Sequence, residues 1–184
     1  MPTSSFSFPT FCRLPRAAAW LCSLLLAGSA YAQRPLGIDV SHWQGTINWT
    51  SVATSGVVFA WCKATEDTSY TDPTYVRNQT NAANNGVKLG PYHFARPDLD
   101  PGIAGAVAES VNFWSVISNY VKGSNTYMMP MLDVETRGAT NATPDLTAAT
   151  LSQWVNAFCS NLVALAAAKG VAINPVIYSG GYFS

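Results

Sequence analysis

Asp133 and Glu135 stand one residue apart at the end of an apolar run, Tyr127 to Leu132. The run is short and its flanks are polar and turn-like, so it reads as a buried strand. Residues i and i+2 of a strand point to one face. Both carboxyls therefore share a side, roughly 6–7 Å apart from the strand rise. Carboxyl pairs in that range cleave glycosidic bonds. Close like charges also push two pKa values apart, which leaves one group protonated to serve as acid. An isolated pair is equally compatible with a solvated strand end, so its company must decide.

The elements that would position the pair alternate between strand and helix. Strands are expected at Leu36 to Ser41, Val57 to Lys63, Lys88 to Phe94, the acidic segment itself, and Pro175 to Tyr178. Asp72-Pro73 opens a helix, with Asp72 as N-cap and Pro at the first helical position, and Gly86 stops it. A second helix runs from Ile103 to Val121 on a stripe of Val107, Val111, Trp114 and Ile117, ending at Gly123. Residues 136–146 are a polar, turn-like connection. Leu151, Trp154, Val155, Phe158, Leu162 and Leu165 recur at helical spacing before Gly170. This order predicts one α/β domain with a parallel sheet and crossover helices. Internal repeats and low-complexity tracts are absent from the sequence.

The N-terminus has a different character. Arg13 and Arg16 precede an apolar run, Ala17 to Ala27, and Ala30-Tyr31-Ala32 offers small residues at a cleavage site. Residues 1–32 thus read as an export signal peptide, too short for a membrane span. The remaining segment, 33–184, carries eight basic and ten acidic residues, a net charge of −2. With no basic patch, nucleic acid is not an expected partner. Cys62 and Cys159 remain after cleavage; they could pair in an oxidising compartment or stand as separate buried thiols. No spacing resembles a zinc site, and neither a metal nor a cofactor is expected. Asn48-Trp49-Thr50, Asn78-Gln79-Thr80 and Asn141-Ala142-Thr143 fit the glycosylation pattern.

Five segments then line up. Gly37-Ile38-Asp39-Val40-Ser41-His42-Trp43-Gln44-Gly45, followed by Ile47-Asn48-Trp49, resembles the opening of the glycoside hydrolase family 25 lysozymes. Lys63-Ala64-Thr65-Glu66 with Asp72-Pro73 is similar to the second-strand motif of that family, and Gly90 to Pro97 to its third. Pro130 to Glu135 resembles its catalytic strand and Pro175 to Ser179 its fifth. The resemblance implies a modified (β/α) barrel of the TIM type, with about five of the expected strands present and the site at their carboxyl ends. It also implies cleavage of the β-1,4 bond between N-acetylmuramic acid and N-acetylglucosamine of peptidoglycan by a secreted monomer, in the medium or a periplasm.

By position, Glu135 matches the family's general acid, and Asp133 the partner carboxylate that supports the developing positive charge. Asp39 matches a further acidic residue; its alternative is a strand-end group satisfying loop amides. Tyr92 suits a substrate acetamide and a sugar face, or equally the barrel core. His93 alternates with Tyr92 and should pack on the opposite face. His42 and Trp43 either line the cleft or, for His42, bond within the loop. Lys63 and Glu66 match family residues near the cleft and are expected with Tyr92 and Trp43 in the substrate-binding group, as a supporting ion pair rather than in direct catalysis. Arg96 is expected to anchor Asp98 or Asp100. Family members continue beyond the fifth strand, so the sequence reads as truncated, and residues 33–184 alone are expected to be unstable or to aggregate. A non-catalytic binder of cell-wall glycan on the same fold is the competing function. Clustered carboxylates that must be desolvated favour the enzyme.

Overall fold

The computed structural model describes residues 34–121, 127–135 and 146–179. The leader at 1–32, the connection at 136–145, Gly123, the Asn141 sequon and the tail at 180–184 lie outside the described residues. The chain order is β1 (Leu36–Val40), α1 (Trp49–Thr54), β2 (Val57–Glu66), β3 (Tyr70–Thr71), α2 (Tyr75–Asn84), β4 (Lys88–Phe94), α3 (Gly102–Ile117), β5 (Met131–Val134), α4 (Ala148–Ala167) and β6 (Val176–Ser179). A 3-10 turn at His42–Gln44 follows β1.

The sheet runs β1-β2-β4-β5-β6 with every pairing parallel, and β3 adds antiparallel to the end of β2. Alternation along the strands sorts the side chains. One set lines a concave face: Gly37 and Asp39, Phe59, Trp61 and Lys63, Tyr92 and Phe94, Met131 and Asp133, then Tyr178. A single cavity touched by both β1 and β6 means that the sheet curls. The result is half of a modified barrel.

The other set meets the helices. Ala60, Cys62 and Ala64 of β2, Leu89 and His93 of β4, and Leu132 and Val134 of β5 are buried in one core. Tyr75 of α2, Phe113 and Ile117 of α3, and Trp154, Phe158 and Leu162 of α4 fill that core from the helical side. Burying each of the large side chains contributes about 1.5–3 kcal/mol. The small side chains of β2 let the helices approach closely, and Trp154 stacks on Phe158 at 5.6 Å.

Three local departures have physical causes. The α2 helix begins at Tyr75 rather than Pro73, because Asp72 spends its carboxylate on the turn before it: Thr74 donates its amide and hydroxyl to Oδ1 at 2.8 and 2.7 Å. The buried face of α3 is Ala106, Glu109, Ser110, Phe113, Trp114 and Ile117; it keeps Trp114 and Ile117 of the expected stripe but not Val111, which is 48% exposed. A hydropathy stripe counted Glu109 as surface, whereas it is a buried hydrogen-bonding partner of β4. Lastly, β2 runs past Lys63 to Glu66 through a register shift between Lys63 and Thr65.

That shift acts as a bulge, in which one extra residue reverses the alternation. Lys63 pairs with Tyr92 on the concave side, Thr65 pairs with His93 on the convex side, and Glu66 pairs with Phe94 back on the concave side. Lys63 and Glu66 therefore meet on one face although they stand three positions apart. Cys62 and Cys159 are both free thiols. Asn78 is buried and accepts from Trp49 Nε1, so it is closed to glycan attachment in the fold.

Candidate active site

The concave face holds a cavity of about 520 Å³ at the carboxyl ends of the strands. Its floor is aromatic, and two glycines make room for it. A side chain at Gly37 would collide with the Phe59 ring, and a Cβ at Gly90 would lie 2.8 Å from Trp61 Nε1. Above that floor Asp39, Asp133 and Glu135 converge from β1 and from the end of β5, with Tyr92 and Lys63 between them.

Asp133 is the deepest of the three acids. It is 9% exposed, and its Oδ1 is buried without a hydrogen-bond partner. Its place is fixed through the backbone, where its carbonyl accepts from Ala95 N at 2.9 Å. Burial, then the negative charges of Glu135 and Asp39, push its pKa up to about 7, with Lys63 pulling the other way. Glu135, one residue past the strand, is exposed at the mouth of the cavity, and Asp39 is exposed on the opposite wall. Asp39 has no hydrogen-bond partner among the described residues. Asp133 is therefore partly protonated near neutral pH. The Tyr92 hydroxyl is driven well above the usual phenol range by burial first and then by Asp133 and Asp39, so it stays a donor.

Trp43 sits at the rim on the 3-10 turn and is 81% exposed. Ser41 and Gln44 cap that turn reciprocally, with Ser41 N donating to Gln44 Oε1 at 2.7 Å. His42 ties it down: its amide donates to Asp72 Oδ2 at 3.0 Å, and its Nδ1 lies 2.9 Å from the same oxygen. Burial alone would raise Asp72, but hydrogen bonds from Thr74 and His42 outweigh it and hold the carboxylate below its usual range. His42 is thus a loop hydrogen-bonder, and its ring packs 4.6 Å from that of Trp43.

Lys63 and Glu66 form the expected ion pair, with Lys63 Nζ 4.8 Å above the Phe94 ring. Glu66 itself lies outside the carboxylate cavity and lines a neighbouring hollow with His42, Trp43, Asp67 and Tyr70. Arg96 chelates Asp98 with two contacts of 2.8 Å and reaches Glu66 at 3.1 Å. His93 points away from the cleft: Nδ1 meets Thr65 Oγ1 and Nε2 meets Glu109 Oε2, each at 2.7 Å. Burial lowers His93 to about 3 and raises Glu109 to about 8.

Sequence reasoning missed Phe59, Trp61, Phe94 and Tyr178 as cavity walls. Same-face alternation from Lys63 and Tyr92 would have found the first three, and pairing opposite Asp133 the last.

Residues 38–184 match the sequence profile of Glycosyl hydrolases family 25. The chain belongs to that family. Among its relatives, "Lysozyme M1" of Streptomyces globisporus is 41% identical over 124 residues, covering 66% of this chain and 40% of that protein. The "N,O-diacetylmuramidase" of Chalaropsis sp is 33% identical over 125 residues, 66% of this chain and 57% of that one. The bacterial lysozyme structure from Streptomyces coelicolor superimposes with a TM-score of 0.68 at 35% identity, over 80% of this chain and 63% of that chain. The muramidase structure from Trichobolus zukalii gives 0.66 at 32% identity, over 80% and 66%. This family 25 chain thus spans about half the length of the curated relatives it matches.

Proposed function

We propose that this chain carries the catalytic carboxylates of an exported muramidase. Its substrate is the glycan of peptidoglycan, cut at the β-1,4 bond from N-acetylmuramic acid to N-acetylglucosamine. The observation that carries the reading is the convergence of Asp39, Asp133 and Glu135 over an aromatic floor in one open cavity. Sugar rings offer apolar faces to such a floor, and an oxocarbenium-like transition state is stabilised by fixed negative charge around it.

In this scheme Glu135, at the mouth, gives its proton to the leaving oxygen. Asp133, below it, accepts a hydrogen bond from the substrate's acetamido group and orients that group towards the anomeric carbon. Asp39 faces the developing positive charge, Tyr92 donates to the glycan, and Trp43 supplies a stacking surface at the rim. The Lys63–Glu66 pair braces the wall on which Tyr92 and Phe94 stand.

Export follows from the leader at 1–32, with cleavage after Ala32, and the protein acts as a monomer on glycan strands without nucleic acid. No helix among the described residues is long and apolar enough to cross a membrane. Zymography on peptidoglycan tests the reading, run beside cosedimentation with cell walls. The muramidase clears the gel, and Glu135→Gln abolishes clearing while still sedimenting. A folded protein that sediments without clearing, and whose Glu135→Gln variant is indistinguishable from it, is a glycan binder instead.

A further inference from the structure

The turn after β2 and the loop after β4 meet over the N-terminal half of α3, beside the cleft and outside it. There, one oxygen from each of Asp67, Asp100 and Glu109 lies within 4.8 Å of the other two. Glu109 is fully buried. Its Oε2 is taken by His93 Nε2 at 2.7 Å and by the Arg96 amide at 3.0 Å. Its Oε1 is buried with no partner, and is the oxygen that Glu109 has left to offer. A bare buried carboxylate oxygen is costly and calls for an explanation.

Among the described residues no basic side chain is bonded to that oxygen. Arg96, whose charge acts on Glu109, directs its guanidinium to Asp98 and Glu66. Asp67 and Asp100 are half-buried and open the cluster to solvent on one side. Gly105 holds the loop against α3: a side chain there would strike the Asp100 carbonyl. Asn112 of α3 holds the turn, donating to the carbonyl of Asp67 at 2.9 Å.

We propose that Asp67, Asp100 and Glu109 bind a divalent cation of the calcium type. The donors are hard carboxylate oxygens, the set that calcium prefers. Three carboxylate oxygens within 4.8 Å of one another can reach one cation, and the flexible, oxygen-rich shell of calcium tolerates such an irregular set better than the strict octahedron of magnesium. Water completes the shell from the open side. Three separate elements supply the ligands, so no compact sequence motif announces the site. The ion ties two loops to the back of β4 through the Glu109–His93 contact.

The test uses the full chain, stripped with chelator and then titrated with calcium chloride by calorimetry and thermal unfolding. Binding heat is expected, with a rise in Tm of about 5–10 °C at calcium well above its Kd. Asp67→Asn combined with Asp100→Asn should abolish both signals. Asp67 has φ 56, a region that Asn tolerates, so the double variant keeps its fold. Its Tm without calcium should stay close to that of the parent, because asparagines can keep the side-chain hydrogen bond that Asp67 and Asp100 share. Absence of binding heat and of a calcium-dependent Tm in the parent overturns the proposal. So does a calcium response that survives in the double variant.

Discussion

The two faces of the curled sheet hold buried acids in opposite ways. On the concave face Asp133 is raised to about 7, chiefly by burial, and its inner oxygen is left without a partner at the edge of a cavity. On the convex face Glu109 is raised to about 8, also chiefly by burial, yet one of its oxygens is clamped between His93 and the Arg96 amide. A shifted pKa alone therefore separates nothing here. What separates the two acids is the direction each faces: Asp133 towards space that a glycan can enter, Glu109 from α3 towards the strand end on which that helix packs. Strand parity makes that assignment, since Tyr92 and His93 are neighbours in sequence and serve opposite faces.

The largest effect is expected on the concave side. Glu135→Gln should lower turnover on purified peptidoglycan by about 10³-fold, the scale of a general acid, with wall binding unchanged. The contrast breaks if His93→Ala does the same. His93 should instead govern stability: its removal leaves a cavity and strips Glu109 of one of its two hydrogen bonds, at about 3–5 kcal/mol in chemical denaturation. Turnover per folded molecule should stay within about twofold of the parent. A loss of turnover matching that of Glu135→Gln, in a folded His93→Ala protein, would join the two faces into one catalytic unit.

Much of this division is legible in the sequence. Lys88–Phe94 is a strand with the bounds expected of it, and the face assignment of Tyr92 against His93 follows from alternation alone. The acid pair, Asp39, Tyr92, Lys63 and Trp43 were reachable through their motifs, and all of them line the cavity. Glu66 was assigned to the same group but lines the next hollow, because the bulge after Lys63 both returns it to the concave face and carries it past the cleft. Glu109 was invisible for a different reason. Periodicity ranks an acid as surface, and only the contact with His93 shows that the polar side chain belongs inside. The β2 bulge has no local signature at all, since it is set by the register against β4.

The next effect concerns pH. Asp133 has a folded pKa raised from 3.8 to about 7, so between these values the folded state binds more protons than the unfolded one. Its contribution to stability should then fall as pH rises from about 4 to 7 and level off above. Asp133→Asn removes that contribution and leaves those of Glu109 and His93 in place. Above pH 7 the variant should be more stable than the parent, by on the order of 2–4 kcal/mol, while losing activity. Urea denaturation at pH 4.5 and 7.5 measures both slopes. Parallel curves for parent and variant would mean that Asp133 is solvated in solution, and the concave face would lose its distinguishing acid.

The smallest effect sharpens the comparison within the cleft. Tyr92→Phe keeps the ring and its burial and removes only the hydroxyl, whose proton is held firmly by its surroundings. A hydrogen bond from that hydroxyl to the glycan is a neutral pair, worth about 0.5–1.5 kcal/mol net. That corresponds to roughly a two- to tenfold fall in kcat/KM. If the bond forms equally in the bound and transition states, KM rises and kcat holds. If it forms only as the acetamido group moves towards the anomeric carbon, kcat falls and KM holds. An unchanged kcat/KM would return Tyr92 to the barrel core and leave direct action on substrate to Asp39, Asp133 and Glu135.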